Sequence, residues 1–208
     1  MNTRPTRPLA AATLTACMLS PLTASALDLP ARGDASRHAL EVRTGQASVA
    51  IPGVWSRPST LEGAAHASLY LTPELTYRWG ARALTPKLGL DWRAVDLDGF
   101  ALRLHSAAGL TALFVPSQLA ADADLAIMFD WGGDDGLAFS MGPHARGATL
   151  LGPPNTGRMD LGAAFALGLD LPGPKPGRAW LRAETGYRLG GAGLGALYAD
   201  VGLAVTFR

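Results

Sequence analysis

Between Met159 and Leu171 the chain reads MDLGAAFALGLDL, and its side chains alternate without exception. Met159, Leu161, Ala163, Phe165, Leu167, Leu169 and Leu171 are apolar, while Asp160, Gly162, Ala164, Ala166, Gly168 and Asp170 are small or acidic. A helix would scatter these two sets around its circumference, whereas a strand puts them on opposite faces. The same period returns at Ala179–Leu189, at Leu197–Phe207 and, earlier, at Leu69–Trp79, Leu88–Ala94 and Phe100–His105, with weaker runs at Leu125–Trp131 and Leu137–Met141. Turn residues separate the runs: Asp96-Leu97-Asp98-Gly99, Gly132 to Gly136, Pro172 to Gly177 and Gly190 to Gly193. The pattern predicts a train of antiparallel hairpins and no helix.

Composition decides which face meets what. In a soluble sandwich or lipocalin-like barrel the polar face meets water and carries many Lys, Glu, Thr and Ser residues. Here only 17% of residues are charged, and the second face holds Gly, Ala and isolated Arg, Asp and Glu. The two lysines, Lys87 and Lys175, read as lying in or beside turns. Small residues mixed with opposite charges suit the crowded interior of a narrow barrel, with the apolar face turned outward. The runs at 65–79, 158–171, 178–190 and 195–207 meet the roughly 9–11 residues a tilted membrane strand needs. Tyr77, Trp79, Trp92, Phe100, Tyr187 and Phe207 fall near the ends of runs, where interfacial aromatics belong. The fold class expected is all-β: a closed up-and-down antiparallel transmembrane β-barrel over residues 39–208. Eight strands are expected, with 39–51 only a lead-in because its parity switches at Gly45; the alternative of ten follows if 99–115 splits near Ala107-Ala108-Gly109. Pro73, inside a run, predicts a bulge or a break. The Gly132–Gly136 turn is a candidate protease-accessible loop.

Residues 1–26 read as a cleaved export signal: Arg4 and Arg7, an apolar stretch from Leu9 to Leu19, Pro21, and Ala24-Ser25-Ala26 before Leu27. Leu14-Thr15-Ala16-Cys17 offers a rival lipobox reading, with lipidation at Cys17. Residues 27–38 form a periplasmic lead-in. The single cysteine excludes an internal disulfide, and no Cys/His cluster has zinc-ligand spacing. With a net charge of +1 and no basic cluster, nucleic-acid binding is disfavoured.

In these features the chain resembles the small outer-membrane β-barrels of Gram-negative bacteria. Leu197 to Phe207, alternating and ending in an aromatic before Arg208, resembles the C-terminal signal read by the outer-membrane insertion machinery. The resemblance implies an outer-membrane location after export, contact with outer-membrane lipid and lipopolysaccharide, and recognition of Leu197 to Phe207 by that machinery. It also implies no cofactor and no metal, and a structural, adhesive or envelope-integrity role without catalysis.

Two other functions compete. In His66-Ala67-Ser68, His66 and Ser68 share one strand face and resemble the His-x-Ser element of outer-membrane lipid A deacylases, with Glu74 or Glu184 as the third group. That reading is a barrel enzyme acting on lipid A or phospholipid acyl chains; the plain alternative is a polar interior lining. The third function is a soluble periplasmic barrel binding an apolar ligand. Arg78, Asp91, Arg93, Arg103, Asp130, Arg182, Glu184, Arg188 and Asp200 read as an interior charge network, either a pore lining or a structural filling. His105-Ser106 cannot form a dyad, since adjacent strand residues face opposite ways. His38 and His144 read as loop residues, and Asp134-Asp135 as solvated acids.

Overall fold

The structure is a computed structural model. It describes residues 38–43, 45–50, 59–60, 66–97, 99–115, 117–132, 136–153, 156–172, 177–190 and 195–207, with residues 59, 60, 66–68 and 96 described by backbone alone. Residues 1–26, the lead-in before His38, Asp134-Asp135, Lys175 and Arg208 lie outside these. In chain order the strands are β1 (His38–Arg43), β2 (Gln46–Ala50), β3 (Ser59–Thr60), β4 (His66–Arg78), β5 (Ala83–Leu97), β6 (Phe100–Phe114), β7 (Ser117–Gly132), β8 (Leu137–Leu150), β9 (Gly157–Leu171), β10 (Gly177–Gly190) and β11 (Ala196–Phe207). β3 is a two-residue pairing against β4. The other strands form one antiparallel sheet in which each pairs with its chain neighbours, and β1 on β11 with β2 on β4 close it into a ten-stranded up-and-down barrel. Among the described residues there is no helix.

The count is ten, not eight, and the two added strands come from the presumed lead-in. Gly45, at φ +80, turns the chain between β1 and β2. Inward residues are odd-numbered before it (Ala39, Glu41, Arg43) and even-numbered after it (Gln46, Ser48, Ala50). The parity switch is therefore a hairpin. The β6 segment does not split; its pairing with β7 runs unbroken from Phe100 to Phe114.

Burial is inverted relative to a water-soluble fold. Leu88, Leu110, Leu125, Leu169 and Leu181 are exposed on the outer face, whereas Arg78, Arg182, Glu41 and His105 are almost fully buried inside. Aromatics ring both ends of the outer wall. Tyr77, Trp79, Phe114 and Tyr187 stand at one end; at the other, Phe100, Phe129 and Phe139 cluster around Trp131, with Phe207 stacked on His38.

Prolines interrupt single ladders without breaking strands. The β4–β5 register passes Pro73 without a shift, and the β2 ladder on its other side ends at Glu74; the one bulge in that region lies in β5, between Arg93 and Val95. The β5–β6 register skips Thr85 and Pro86, and the β7–β8 register skips Gly142 and Pro143, as expected of a residue with no N–H to donate. His38 and Phe207 lie at the same end as the β5–β6, β7–β8 and β9–β10 connections. The Gly132–Gly136 turn thus sits at the end with both termini of the described barrel. At the opposite end Trp79 N–H donates to Gly45 C=O at 3.2 Å, tying the β1–β2 tip to the turn after β4.

Candidate functional site

The inner wall combines long charged side chains with residues that leave room for them. A Cβ on Gly202 would come within 2.6 Å of the Arg43 stem, one on Gly109 within 2.7 Å of Lys87, and one on Gly168 within 2.6 Å of the Trp180 ring. These glycines are seats for side chains from a neighbouring strand, and they make no turn.

Glu184, in the middle of β10, is the hub. It accepts a bidentate pair from Arg146 of β8 at 2.5 and 2.6 Å, pairs with Arg43 of β1 at 2.9 Å and with Arg182 at 3.1 Å. Glu41 takes the other side of Arg43 and reaches Arg182 at 3.1 Å. From Arg146 the chain of charges runs to Asp124 at 3.4 Å, on to Lys87, which binds both Asp124 and Asp122, and ends at Arg78, 3.6 Å from Asp122. Alternating signs matter because a buried charge without a partner costs several kcal/mol, roughly 3–5 when one partner is removed.

A second cluster lies toward the end with the termini. Arg103 binds Asp91 at 2.8 Å and Asp130 at 3.3 Å, and Ser140 donates to Asp130 at 2.5 Å. His105 lies 3.5 Å from Asp91 and 4.0 Å from Glu74. Beyond it Arg178 pairs with Asp170 at 2.6 Å and stacks over Trp180. At the opposite end Arg158 and Arg188 share Asp160, and Tyr198 hydrogen-bonds His144 at 2.7 Å. Buried hydroxyls pair Ser48 with Thr76 and Thr85 with Thr111, each 2.8 Å apart, and Ala83, Leu113 and Leu150 belong to a buried apolar patch.

All nine charged residues predicted for the interior lie on the inner face. Arg78, Asp91, Arg103, Asp130, Arg182, Glu184 and Arg188 are ion-paired there, Arg93 is buried, and Asp200 reaches Arg43 at 3.9 Å. Sequence reasoning missed Glu41, Arg43, Asp122, Asp124, Arg146 and Arg158, and it placed Asp160 on the inner face without counting it in the charge network. The signal for most of them was present, since they share parity with the polar face of their strands. Lys87 is not a turn residue but a buried one in β5, and His144 is not in a loop but buried in β8; each has a proline beside it, Pro86 and Pro143. His38 opens β1.

The His66, Ser68, Glu74 arrangement does not assemble. Glu74 stands eight residues along β4 from His66, about 26 Å at the ordinary rise of a strand, and faces His105 instead. Glu184 is held by its arginines, and the side chains of His66 and Ser68 lie outside the described residues. Among the described residues no group of three or more His, Cys, Asp or Glu is placed to hold a metal ion. No family model, curated protein or solved structure matches this chain.

The network's chemistry is therefore mutual neutralisation. It joins β1, β4, β5, β7, β8 and β10 through their side chains across the lumen, in addition to the backbone ladders. Among the described residues of the network, Arg78, Arg182 and Glu41 are each 1% exposed.

Proposed function

We propose that this chain is a small, non-catalytic outer-membrane barrel that contributes to envelope structure, and that any contact function resides in its surfaces and connections. The inversion of burial carries the reading: an ionic interior inside a wall whose exposed side chains are Leu, Val, Phe and Trp. Water around such a wall would leave a large apolar area exposed, at roughly 25 cal/mol per Å²; hydrocarbon would not. Closure supports the same reading, because an open sheet in lipid leaves edge N–H and C=O groups without partners. The aromatics at both ends suit the two interfaces of a bilayer. The filled lumen favours a structural role over a pore.

The experiment is fractionation with a heat shift. Retention in the outer-membrane fraction after alkaline washing, with unboiled protein migrating faster than boiled protein in SDS, is the expected result. Monodisperse behaviour in buffer free of detergent and lipid overturns the proposal. A sharper form uses Leu125→Arg, on the outer face near the middle of β7. It should lower folding stability in lipid vesicles by about 2–4 kcal/mol, read as a shift in the urea midpoint.

A further inference from the structure

The two ends of the barrel differ in charge. The end with the termini has four connections, and their sequence carries Arg57, Glu62, Asp98, Asp134, Asp135 and Lys175. The connections at the opposite end span 44–45, 79–82, 115–116, 151–156 and 191–195, and Arg82 is the single charged residue in them. The rest are mostly Gly, Pro, Ala and Leu. Connections that project into water ordinarily carry polar and charged side chains. An end built without them suits the level of the lipid headgroups.

Arg82 is fixed there by its backbone. Its N–H donates to the Trp79 C=O at 3.3 Å, and its C=O accepts from the Phe114 N–H at 3.0 Å. With φ +47 it is the one left-handed residue other than glycine among the described residues, a conformation that costs any side chain with a Cβ. It is also the one exposed lysine or arginine among them, and no ion pair with a described residue engages it. On the outer wall beside it Tyr77, Trp79, Phe114 and Val115 are all exposed. The inner side of the same rim is apolar as well, with Ala81, Ala83, Leu113, Ala120 and Leu150 packed together. A lone cation thus stands on a rim that is apolar on both faces.

We propose that Arg82 holds the headgroup phosphate of an anionic lipid whose acyl chains lie along Tyr77, Trp79 and Phe114. A guanidinium offers a phosphate paired N–H donors, and Trp and Tyr settle at the headgroup level just below it. Cation above and aromatic wall beneath match an amphiphile; a soluble anion would have no use for the wall. This end of the barrel then rests among the headgroups and does not project beyond them. The proposal rests on the barrel being embedded in lipid, as set out above.

The test offers detergent-solubilised protein equal amounts of phosphatidylglycerol and phosphatidylcholine with identical acyl chains, and reads bound lipid by native mass spectrometry. A preference of about five-fold for phosphatidylglycerol is expected, the effect of one interfacial cation. It should fall to parity in Arg82→Gln and survive in Arg82→Lys. Arg82→Gly removes the cation and relieves the left-handed backbone, so it should fold at least as well as the unaltered protein and also bring the preference to parity. Lys175→Gln, in a connection at the other end, should keep the preference. Equal retention of the two lipids by the unaltered protein overturns the proposal, as does a preference that persists without Arg82 or is lost without Lys175. Displacement of the lipid by an equal concentration of inorganic phosphate also overturns it, since the site would then be one for a soluble anion. The heat shift is read on the same samples. Its absence in the unaltered protein defeats the outer-membrane reading and this one with it, whereas a normal shift without lipid preference defeats only the Arg82 site.

Discussion

The eight strands from β4 to β11 and the β1–β2 hairpin close one barrel by different means. The long strands run 12 to 16 residues each and hold their neighbours through full backbone ladders. The hairpin strands have six and five residues. Their ladders cover only the Gly202–Phe207 part of β11 and the Glu74–Arg78 part of β4. The hairpin compensates with charge: Glu41 and Arg43 reach through the lumen to Arg182 and Glu184 of β10. Where backbone pairing is short, side-chain ion pairs carry more of the closure.

Substitutions on the two sides of this contrast should separate the contributions. The largest effect is expected from Glu184→Ala, which leaves Arg43, Arg146 and Arg182 facing one another around a lost hub. A loss of about 3–5 kcal/mol, or failure to give a heat-modifiable band, is the expected outcome in refolding assays. Glu41→Ala should cost less, about 1.5–3 kcal/mol, because Glu184 still serves both arginines it abandons. If the urea midpoint of Glu41→Ala matches that of the unaltered protein, the hairpin is held by its backbone ladders alone and the contrast fails. Gly45→Val should give the smallest loss, about 1–2 kcal/mol, because it forces a branched side chain into a left-handed conformation while leaving both ladders intact.

The same contrast explains what was legible in the sequence. Alternation over a dozen residues, strict in β9 and with few exceptions such as Trp180 and Thr185 in β10, identifies β9, β10 and β11 because a buried, ion-lined face and an apolar outer face impose period two. In β1 and β2 the alternation lasts only five or six residues and reverses at Gly45, so the signal of a hairpin looks like the loss of a strand. Lys87 and His144 sit inside strands, each beside a proline that occupies a gap in a single ladder and does not end the strand. The partners of the interior charges could not be read at all. That Glu184 meets Arg43, Arg146 and Arg182 depends on the stagger of strands around a closed wall, and no local run of residues encodes it. The His66-x-Ser68 spacing illustrates the converse: shared parity places residues on one face, but a third group eight residues along the same strand remains far out of reach.

The filled lumen has an electrical consequence. Opposite charges are paired through the middle of the described barrel, and Trp180 is buried on the same inner face. On the outer-membrane reading proposed above, a planar bilayer seeded with many copies should keep its resistance.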